Sequence, residues 1–457
     1  MLINSTSNFF KSKIFPILLV NFIGILGYSI VVPILIFIVT KFGGNGFIYG
    51  ILGAMYPFFQ FIGAPILGRL SDRLGRKKVL IISQAGTFVA WLLFLLAFIL
   101  PETELWSQDT DTTGSYVMTL PLLIIFIARI FDGFTGGNIS VANAYMSDIS
   151  TDENRSGNFG KMGASTSLGF VLGPAVAGVL ASTILGEVLP LILASVISLV
   201  AIFVIHLRLV ESVPCVVDTG NVSLKNIRRF FQVEHKDCYT EGELESGPKE
   251  KKDWLSILRI SGIPLLFTIY FLTFFAFSLF YAGLPIYAST ILEWSATDLG
   301  LFLAYSSLIM VLIQGPVLSR LSQRFSSHSL VLSGSFLLGI SFLVLSKENF
   351  VLLYLANTLL SVGNGLMWPS FLSILSSTGS KASQGTIQGY GTSMGSIASM
   401  MGLIAGGLLF GRMETDVFIL GGFVFFLITL LMTIHRLNHR KKSRMSKEEY
   451  TLILDKS

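Results

Sequence analysis

An arginine and an aspartate stand three residues apart inside a long apolar segment near residues 117–143, at Arg129 and Asp132. Counted from Met118 at about 1.5 Å per residue, Arg129 lies roughly 16 Å along a helix that crosses a hydrocarbon core of about 30 Å. A charge at that depth costs about 2.5–3.5 kcal/mol, and Asp132 on the same helix face is its nearest partner. Such a carboxylate can exchange a proton as its hydration or its distance to the cation changes. The sequence therefore predicts a proton-coupling pair, with a purely structural lock of this helix as the alternative.

A basic loop follows the second apolar segment and reads GRLSDRLGRKK from Gly68 onward. Gly68 would permit close approach of a neighbouring backbone, and Gly75 would permit a tight turn. Asp72 can contact a helix N-terminus or an arginine across a domain boundary, and such contacts can form and break. Chain orientation would require the basic residues but not the spacing of the glycines and the aspartate. We interpret the following residues as a gate: Gly68, Asp72, Arg73, Gly75, Arg76 and, at the end of the fourth segment, Asp148.

Small side chains recur at every fourth position of the fifth apolar segment, at Ser165, Gly169, Gly173, Ala177 and Ala181. Such a stripe allows another helix to pack closely. Small-residue stripes also serve simple packing in proteins that transport nothing, so the stripe alone leaves both interpretations open. Together with the neighbouring motifs, we interpret this segment as a gating helix carried by Gly169, Gly173, Pro174 and Gly178.

Neutral polar and aromatic side chains are scattered through the remaining apolar segments, which suits a cavity that accepts varied apolar compounds. Each position alone could equally face lipid or the protein core. The candidate cavity residues are Asn21, Tyr28, Tyr281, Tyr305, Gln314, Asn357, Asn364 and Trp368.

The composition requires a membrane around these residues. Of 457 residues, 52% are hydrophobic and only 13% are charged, whereas soluble domains carry about 25% charged residues. A membrane crossing needs about 20 apolar residues, so about twelve crossings use nearly the whole chain. Such segments recur near 14–40, 47–67, 79–100, 117–143, 160–184 and 187–209, and then near 262–289, 298–318, 329–346, 350–376, 388–411 and 417–435.

Charge and internal similarity organise the segments into two halves of six. The hydrophilic stretch 211–256 lies between them as a solvated linker. Basic residues concentrate on one side of the predicted membrane, which places both termini in the cytoplasm. A repeat at a shift of 251 residues aligns Pro65–Arg73 with Pro316–Arg324, so the second and eighth segments are predicted equivalents in two parallel halves.

The motifs together resemble the major facilitator superfamily. The loop from Gly68 to Lys78 is similar to the signature loop of that superfamily, the run from Ala128 to Asn138 resembles its tetracycline-efflux branch, and the run from Gly169 to Gly178 resembles the motif of its drug/proton antiporters. The resemblance implies an all-α integral membrane fold of twelve transmembrane helices in two six-helix bundles. The expected domains are a first bundle at 1–210, a cytoplasmic linker at 211–256, a second bundle at 257–436 and a basic cytoplasmic tail at 437–457.

Secondary active transport is the function that this resemblance implies, as proton-coupled, drug-efflux-like export of a small lipophilic or amphipathic compound by alternating access. The chain departs from tetracycline exporters at Gly24, where they carry an acidic residue, so their substrate is not carried over. A facilitator or symporter of a small nutrient, or a non-transporting sensor, remains the alternative. The five histidines are scattered and Cys215 and Cys238 lie in the linker, so neither an enzyme, a metal nor a cofactor is expected.

The expected partners are a small-molecule substrate, protons and the lipid bilayer, without nucleic acid. A monomer in the cell membrane with multiple crossings is the expected form.

Overall fold

The computed structural model describes residues 14–151, 155–212, 258–260, 262–378 and 384–454, so most of the predicted linker lies outside the described residues. Helices account for nearly all of them. The first half contains α1 Phe15–Lys41, α2 Gly46–Leu74, α3 Arg76–Ala97, β1 Glu104–Thr110, β2 Gly114–Thr119, α4 Leu120–Gly136, α5 Asn138–Asp148, α6 Arg155–Ala181 and α7 Val188–Arg208.

The second half continues with α8 Ile263–Thr290, α9 Ala296–Leu312, a π-helical segment Ile313–Val317, α10 Leu318–Arg324, α11 Ser327–Leu345, α12 Phe350–Ser377, α13 Gln384–Met413, a 3₁₀ turn Glu414–Asp416 and α14 Val417–Leu454. Among the described residues, 11 stretches are long and apolar enough to cross a membrane. The last of these, Gly389–Asn438, includes most of α13 and the first part of α14. Each of the twelve predicted segments therefore corresponds to helix, and the all-α membrane fold is confirmed.

The same packing pattern appears in both halves. In the first half α1 packs against α6, α2 against α4, and α3 against α7. In the second half α8 packs against α13, α9 against α12, and α11 against α14. Counting crossings within each half, these are the contacts of the first with the fifth, the second with the fourth, and the third with the sixth. This agreement supports the predicted equivalence of the two halves.

A β-hairpin between α3 and α4 was not expected from the sequence. The fourth segment was predicted to begin near residue 117, but Val117 and Met118 belong to β2 and the helix begins at Leu120. Strand β2 pairs antiparallel with β1, and Thr119 caps α4 by accepting a hydrogen bond from the backbone N–H of Leu122. Asn45, which caps α2, also donates its side-chain amide to the carbonyl oxygens of Thr113 and Ser115 at 2.8 and 3.1 Å.

The two bundles meet through glycines on two helix pairs. A Cβ atom built on Gly178 of α6 would lie 2.9 Å from the Cα atom of Gly300 on α9. A Cβ atom on Gly50 of α2 would lie 3.1 Å from the Cα atom of Gly407 on α13. Both contacts are therefore between main chains. They lie at the starts of α2 and α9 and towards the ends of α6 and α13, on the side that the charge distribution predicts to be outside. We call these two contacts the glycine seam.

Candidate transport site

The predicted charged pair lies in the core of the first bundle. Arg129 and Asp132 of α4 are 4% and 3% exposed, and Arg129 Nη1 lies 3.5 Å from Asp132 Oδ2. The guanidinium also lies over the ring of Phe94, 5.5 Å from its centroid. A distance of 3.5 Å exceeds the roughly 2.7–2.9 Å of a strong charge-assisted hydrogen bond. The two side chains are thus paired, as the sequence predicted, but held by a single long contact.

Asp132 opens onto a cavity of about 30 Å³ between α1, α2, α3, α4 and α5. Asn21 and Tyr28 line it, as does Gly24, where an added Cβ atom would meet nothing within 4 Å. The cavity is lined by Val20, Asn21, Gly24, Ile25, Tyr28, Tyr56, Leu80, Gln84, Thr87, Asp132, Gly136, Asn138, Ile139 and Ala142. All of these residues belong to the first bundle. The structure therefore joins two predicted cavity residues with the predicted proton-coupling residue.

The polar lining residues that the sequence analysis missed are Tyr56, Gln84, Thr87 and Asn138. Tyr56 stacks at an angle on Tyr28, with ring centroids 4.4 Å apart. Gln84 is only 1% exposed. An uncharged amide within the third apolar segment was a signal for such a site, because polar side chains inside a membrane are costly and usually face a cavity or a partner.

Helix interruption at Gly137 shapes one wall of the cavity. The fourth membrane segment is divided there into α4 and α5. Gln60 of α2 donates its side-chain amide to the carbonyl of Gly136 at 3.1 Å, and Ser140 donates to the carbonyl of Ala64 at 2.9 Å. A Cβ atom on Gly137 would lie 2.5 Å from the backbone nitrogen of Ala64. Close backbone contact with α2 therefore requires glycine at this position.

Asn21 has a structural role beside its place in the cavity wall. Its side-chain amide donates to Thr166 Oγ1 at 2.8 Å and lies within 3.3 Å of the Met162 carbonyl, joining α1 to α6. Gly169 and Gly173 of α6 also pack on α1, where the Ser29 hydroxyl donates to the carbonyl of Gly169 at 2.9 Å.

Pro174 and Gly178, which lie next to the small-residue stripe of α6, face the second bundle. Gly178 meets Gly300 in the glycine seam, and a Cβ atom on Gly300 would lie 3.0 Å from the carbonyl oxygen of Pro174. The four predicted gating residues of α6 therefore pack on two partners, Gly169 and Gly173 on α1 of the same bundle and Pro174 and Gly178 on α9 of the other bundle.

The predicted gate forms a compact ion cluster around Arg76. Its Nη1 atom lies 2.6 Å from Asp72 Oδ1 and its Nε atom donates to Asp148 Oδ2 at 3.0 Å. Of the two partners expected for Asp72, a helix N-terminus or an arginine across the domain boundary, the second is not found, since Asp72 pairs with Arg76, the first residue of α3. Arg73 of this set is half-buried.

Of the two glycines in the gate, only Gly75 meets the expectation. Its φ of +98° lies in the region that favours glycine, so it does form the predicted tight turn. A Cβ atom on Gly68 would meet Ser140 Oγ at 3.6 Å, an ordinary contact distance. Close backbone approach is therefore not the reason for glycine at Gly68.

Glu211 completes this cluster, although the sequence analysis assigned it to the linker. Its carboxylate accepts hydrogen bonds from the backbone N–H groups of Arg76 at 2.7 Å and Lys77 at 3.1 Å, which caps the start of α3. The next residue, Ser212, donates to Asp148 Oδ2 at 3.0 Å. The chain leaving the first bundle is thereby attached to the gate, a long-range contact that no local pattern indicates.

The predicted cavity residues of the second bundle form a separate group. Asn357 is 1% exposed and donates to the carbonyl of Phe302 at 3.1 Å, so its amide joins α12 to α9. Tyr305 shares a hydrogen bond of 2.9 Å with Thr358, and Asn364 contacts the sulfur atom of Met310 at 3.2 Å.

Aromatic packing and a helix irregularity complete this group. The ring of Trp368 lies 5.2 Å from that of Tyr270 and 5.3 Å from that of Phe274, measured between centroids. Gln314 belongs to the π-helical segment, and the main-chain carbonyl of Tyr281 accepts a hydrogen bond of 3.0 Å from Tyr49 of the first bundle. None of these predicted residues lines the cavity at Asp132.

Fold and site together define a polytopic helical membrane protein built from two similar bundles, with a buried ion pair in the first. A sequence model described as the Major Facilitator Superfamily matches residues 17–317 and 266–453. The chain belongs to the Major Facilitator Superfamily and is a membrane transporter, not an enzyme. The predicted family is thereby confirmed.

Relatives along most of the chain carry names that refer to drug resistance. Tetracycline resistance protein, class H, of Pasteurella multocida is 24% identical over 403 residues, covering 86% of this chain and 87% of that protein. Multidrug resistance protein 2 of Bacillus subtilis (strain 168) is 25% identical over 423 residues, covering 91% and 93%.

Solved structures agree with the fold. A D-xylose-proton symporter has a TM-score of 0.67 at 15% identity and covers 92% of this chain and 97% of its own. The human organic anion transporter MFSD10 has a TM-score of 0.63 at 20% identity and covers 92% and 98%. At these identities the likeness concerns the fold alone.

Proposed function

We propose that this protein exports small lipophilic or amphipathic compounds in exchange for protons, by alternating access of its two bundles. The observation that carries the proposal is the buried pair of Arg129 and Asp132, with Asp132 on a cavity wall. A charged pair in a membrane segment is costly, so a transporter retains it where it serves an ion pathway. The relatives named for tetracycline and multidrug resistance support drug-like substrates.

Coupling requires that Asp132 change its protonation state during the cycle. Arg129 stabilises the ionised carboxylate, while burial favours the neutral acid. The long 3.5 Å contact makes this balance sensitive to small movements of either side chain. Substrate entry favours loss of the proton, and exposure to the acidic outside restores it.

Access to the site alternates through two sets of contacts. The glycine seam holds the bundles together on the predicted outer side, which corresponds to a state closed to the outside. The Arg76 cluster lies at the opposite ends of α2 and α5, where it stabilises the start of α3. We place both termini in the cytoplasm and the protein in the cell membrane as a monomer, as the charge distribution predicts.

The decisive test measures transport in proteoliposomes that contain purified protein. Asp132→Asn should abolish uphill transport driven by a pH gradient but retain exchange of substrate down its own gradient. Asp109→Asn, in the exposed hairpin, is the matched control and should behave as wild type. Undiminished uphill transport by Asp132→Asn would reject Asp132 as the proton carrier, and a wild-type protein that ignores the pH gradient would favour a facilitator.

A further inference from the structure

A cavity of about 330 Å³ lies at the predicted inner end of the second bundle, between α10, α11 and α12. This volume falls within the range of pockets that hold small organic molecules, which is roughly 300–1,000 Å³. The proposed transport mechanism does not involve this space. The cavity is lined by Leu321, Phe325, Ser329, Leu330, Ser333 and Leu366.

The cavity has apolar walls and is open to the surface of the protein. Leu330 and Leu366 are 4% and 7% exposed, whereas Phe325 is 52% exposed and Ser333 is also exposed. Both serine hydroxyls of the wall already have partners, since Ser333 donates to the carbonyl of Leu330 at 3.2 Å and Ser329 shares a hydrogen bond of 3.1 Å with a neighbouring serine. The wall therefore suits a hydrocarbon chain better than a polar ligand.

The cavity extends through the depth of about one lipid leaflet. Ser333 lies about 9 Å along α11 from its start at Ser327, and Leu366 lies about 16 Å along α12 from its end at Ser377. Half of the hydrocarbon core of a bilayer is about 15 Å thick. The exposed face of α11 continues from Ser333 to Phe336, which is 50% exposed. A surface at this depth contacts acyl chains, so a chain of the inner leaflet can enter the cavity from the side.

Two arginines adjoin the inner end of the cavity. Arg320 and Arg324 belong to α10, each next to a wall residue in the sequence, and both are exposed. Their separation of one helical turn places them on the same face of this helix. Within the described part of the chain, neither arginine forms an ion pair. No Asp or Glu occurs between Asp298 and Glu348, so α10 and α11 carry no carboxylate of their own.

The first bundle has a carboxylate at the equivalent place. The repeat at a shift of 251 residues aligns Asp72 with Gln323. Asp72 pairs with Arg76, whereas an amide at Gln323 cannot balance a cation. An anion that balances the two arginines of α10 is therefore supplied from outside this pair of helices.

We propose that an anionic phospholipid of the inner leaflet binds here, with one acyl chain in the cavity and its phosphate on Arg320 and Arg324. Arginine presents a fork of N–H donors that matches phosphate, and basic pockets between membrane helices on the cytoplasmic side bind anionic head groups. A phospholipid carries both a hydrocarbon chain and a phosphate, the two groups that the cavity and the arginines suit. This site does not depend on proton coupling.

Native mass spectrometry of the purified full-length protein measures this binding, with phosphatidylglycerol and phosphatidylcholine of identical acyl chains as probes. The first bound lipid should be phosphatidylglycerol by about 25-fold, since each basic residue near a membrane surface contributes about fivefold in affinity. Arg320→Gln and Arg324→Gln should each lower this preference about fivefold, and together they should remove it. Arg208→Gln, at an exposed arginine that ends α7, is the matched control and should retain it. A preference that survives the double substitution would overturn the proposal.

A second variant tests the cavity rather than the charge. Ser333→Phe places a ring in the open side of the cavity and should weaken the binding of both lipids alike, with the preference for phosphatidylglycerol retained. Ser373→Phe, at another exposed serine in the inner half of the same bundle, lies outside the cavity wall and should bind as wild type does. Unchanged binding by Ser333→Phe would show that no acyl chain enters the cavity, which would overturn the proposal.

Two other occupants are distinguished by the same measurement. If inorganic phosphate competes as well as phosphatidylglycerol does, the arginines bind a free anion and the proposal is overturned. If the wild type binds phosphatidylglycerol only after Glu241, Glu243 and Glu245 of the linker are replaced by glutamine, the linker is the occupant, with the same consequence. Because the substituted arginines and serines are exposed, thermal unfolding of these variants in lipid-free detergent should match that of the wild type.

Discussion

The first bundle has charged side chains in its core, whereas the second bundle has neutral amides, hydroxyls and aromatic rings. Arg129, Asp132 and Arg76 are all buried in the first bundle. In the described residues of the second bundle, no Asp, Glu, Lys or Arg is buried, and Asn357 is its fully buried amide. Two bundles with the same helix packing therefore differ in chemistry. This difference is consistent with the proposed function, in which the first bundle handles protons and the second offers surfaces suited to an apolar compound.

Among the substitutions that test this contrast between the bundles, replacement of Arg129 should have the largest effect on transport and stability. Arg129→Met leaves the Asp132 carboxylate buried without its cation, and breaking a buried ion pair costs about 3–5 kcal/mol. We expect loss of pH-driven transport and a lower free energy of unfolding, measured by chemical denaturation in detergent. Asn357→Leu, which breaks hydrogen bonds of the second bundle, should cost about 1–3 kcal/mol. Equal costs at the two positions would contradict the contrast between the bundles.

Truncation of Trp368 should change the selectivity between substrates and leave the coupling of transport to protons intact. The ring packs with Tyr270 and Phe274, and Trp368→Ala removes a large aromatic surface from this cluster. We expect apparent affinities for different drugs to change unequally, by about twofold to tenfold, since an aromatic pair contributes about 0.5–1.5 kcal/mol beyond burial. The pH dependence of transport should match wild type. A shifted pH profile would assign proton chemistry to the second bundle too.

The corresponding turns of the two bundles should differ in their tolerance of substitution. Gly75 has a φ of +98°, and a Cβ atom there would lie 2.5 Å from Glu211 Oε2, so Gly75→Ala should lower stability by about 1–3 kcal/mol. At the equivalent turn, Ser326 caps α11 by accepting from the N–H of Ser329 at 3.3 Å. Ser326→Ala should cost about 0.5–2 kcal/mol. Thermal unfolding measures both, and a larger loss at Ser326 would be inconsistent with this structure.

The smallest expected effect is at the start of α9. The hydroxyl and the backbone N–H of Ser295 donate to the exposed Asp298 carboxylate at 2.6 and 2.9 Å. Solvent limits the contribution of these hydrogen bonds to a few tenths of a kcal/mol. Asp298→Asn should therefore lower the thermal stability only slightly, and a loss as large as that of Gly75→Ala would contradict this expectation.

The sequence predicted the features that depend on local spacing. Hydrophobic segments located the helices, and a separation of three residues placed Asp132 beside Arg129. The start of the fourth segment was wrong because Val117 and Met118 are apolar in either a strand or a helix, and only pairing with β1 distinguishes them. Contacts between residues that are far apart in the sequence could not be predicted either. The close backbone contact expected at Gly68 was wrong, and of the two partners left open for Asp72 only the structure identifies Arg76 at the start of α3, because local spacing cannot show which residues lie opposite.

Other parts of the gate and of the cavity are formed by residues that belong to no recognisable sequence motif. Glu211 caps α3 from 135 residues away along the chain, and a carboxylate next to a hydrophilic linker gives no sign of this role. Gln84 was detectable in principle as an amide inside an apolar segment. Its neighbours in space come from four other helices, so the cavity itself required the structure.

The contact between the bundles at the glycine seam does not depend on which compound the protein binds. At Gly178 and Gly300, and at Gly50 and Gly407, main chain touches main chain, so these two contacts depend on no side-chain chemistry. Residues that contact a compound can then be exchanged during evolution without altering the seal. Related proteins that retain these four glycines can therefore acquire new substrates by substitution elsewhere. The contact constrains the backbone and not the residues that determine substrate specificity.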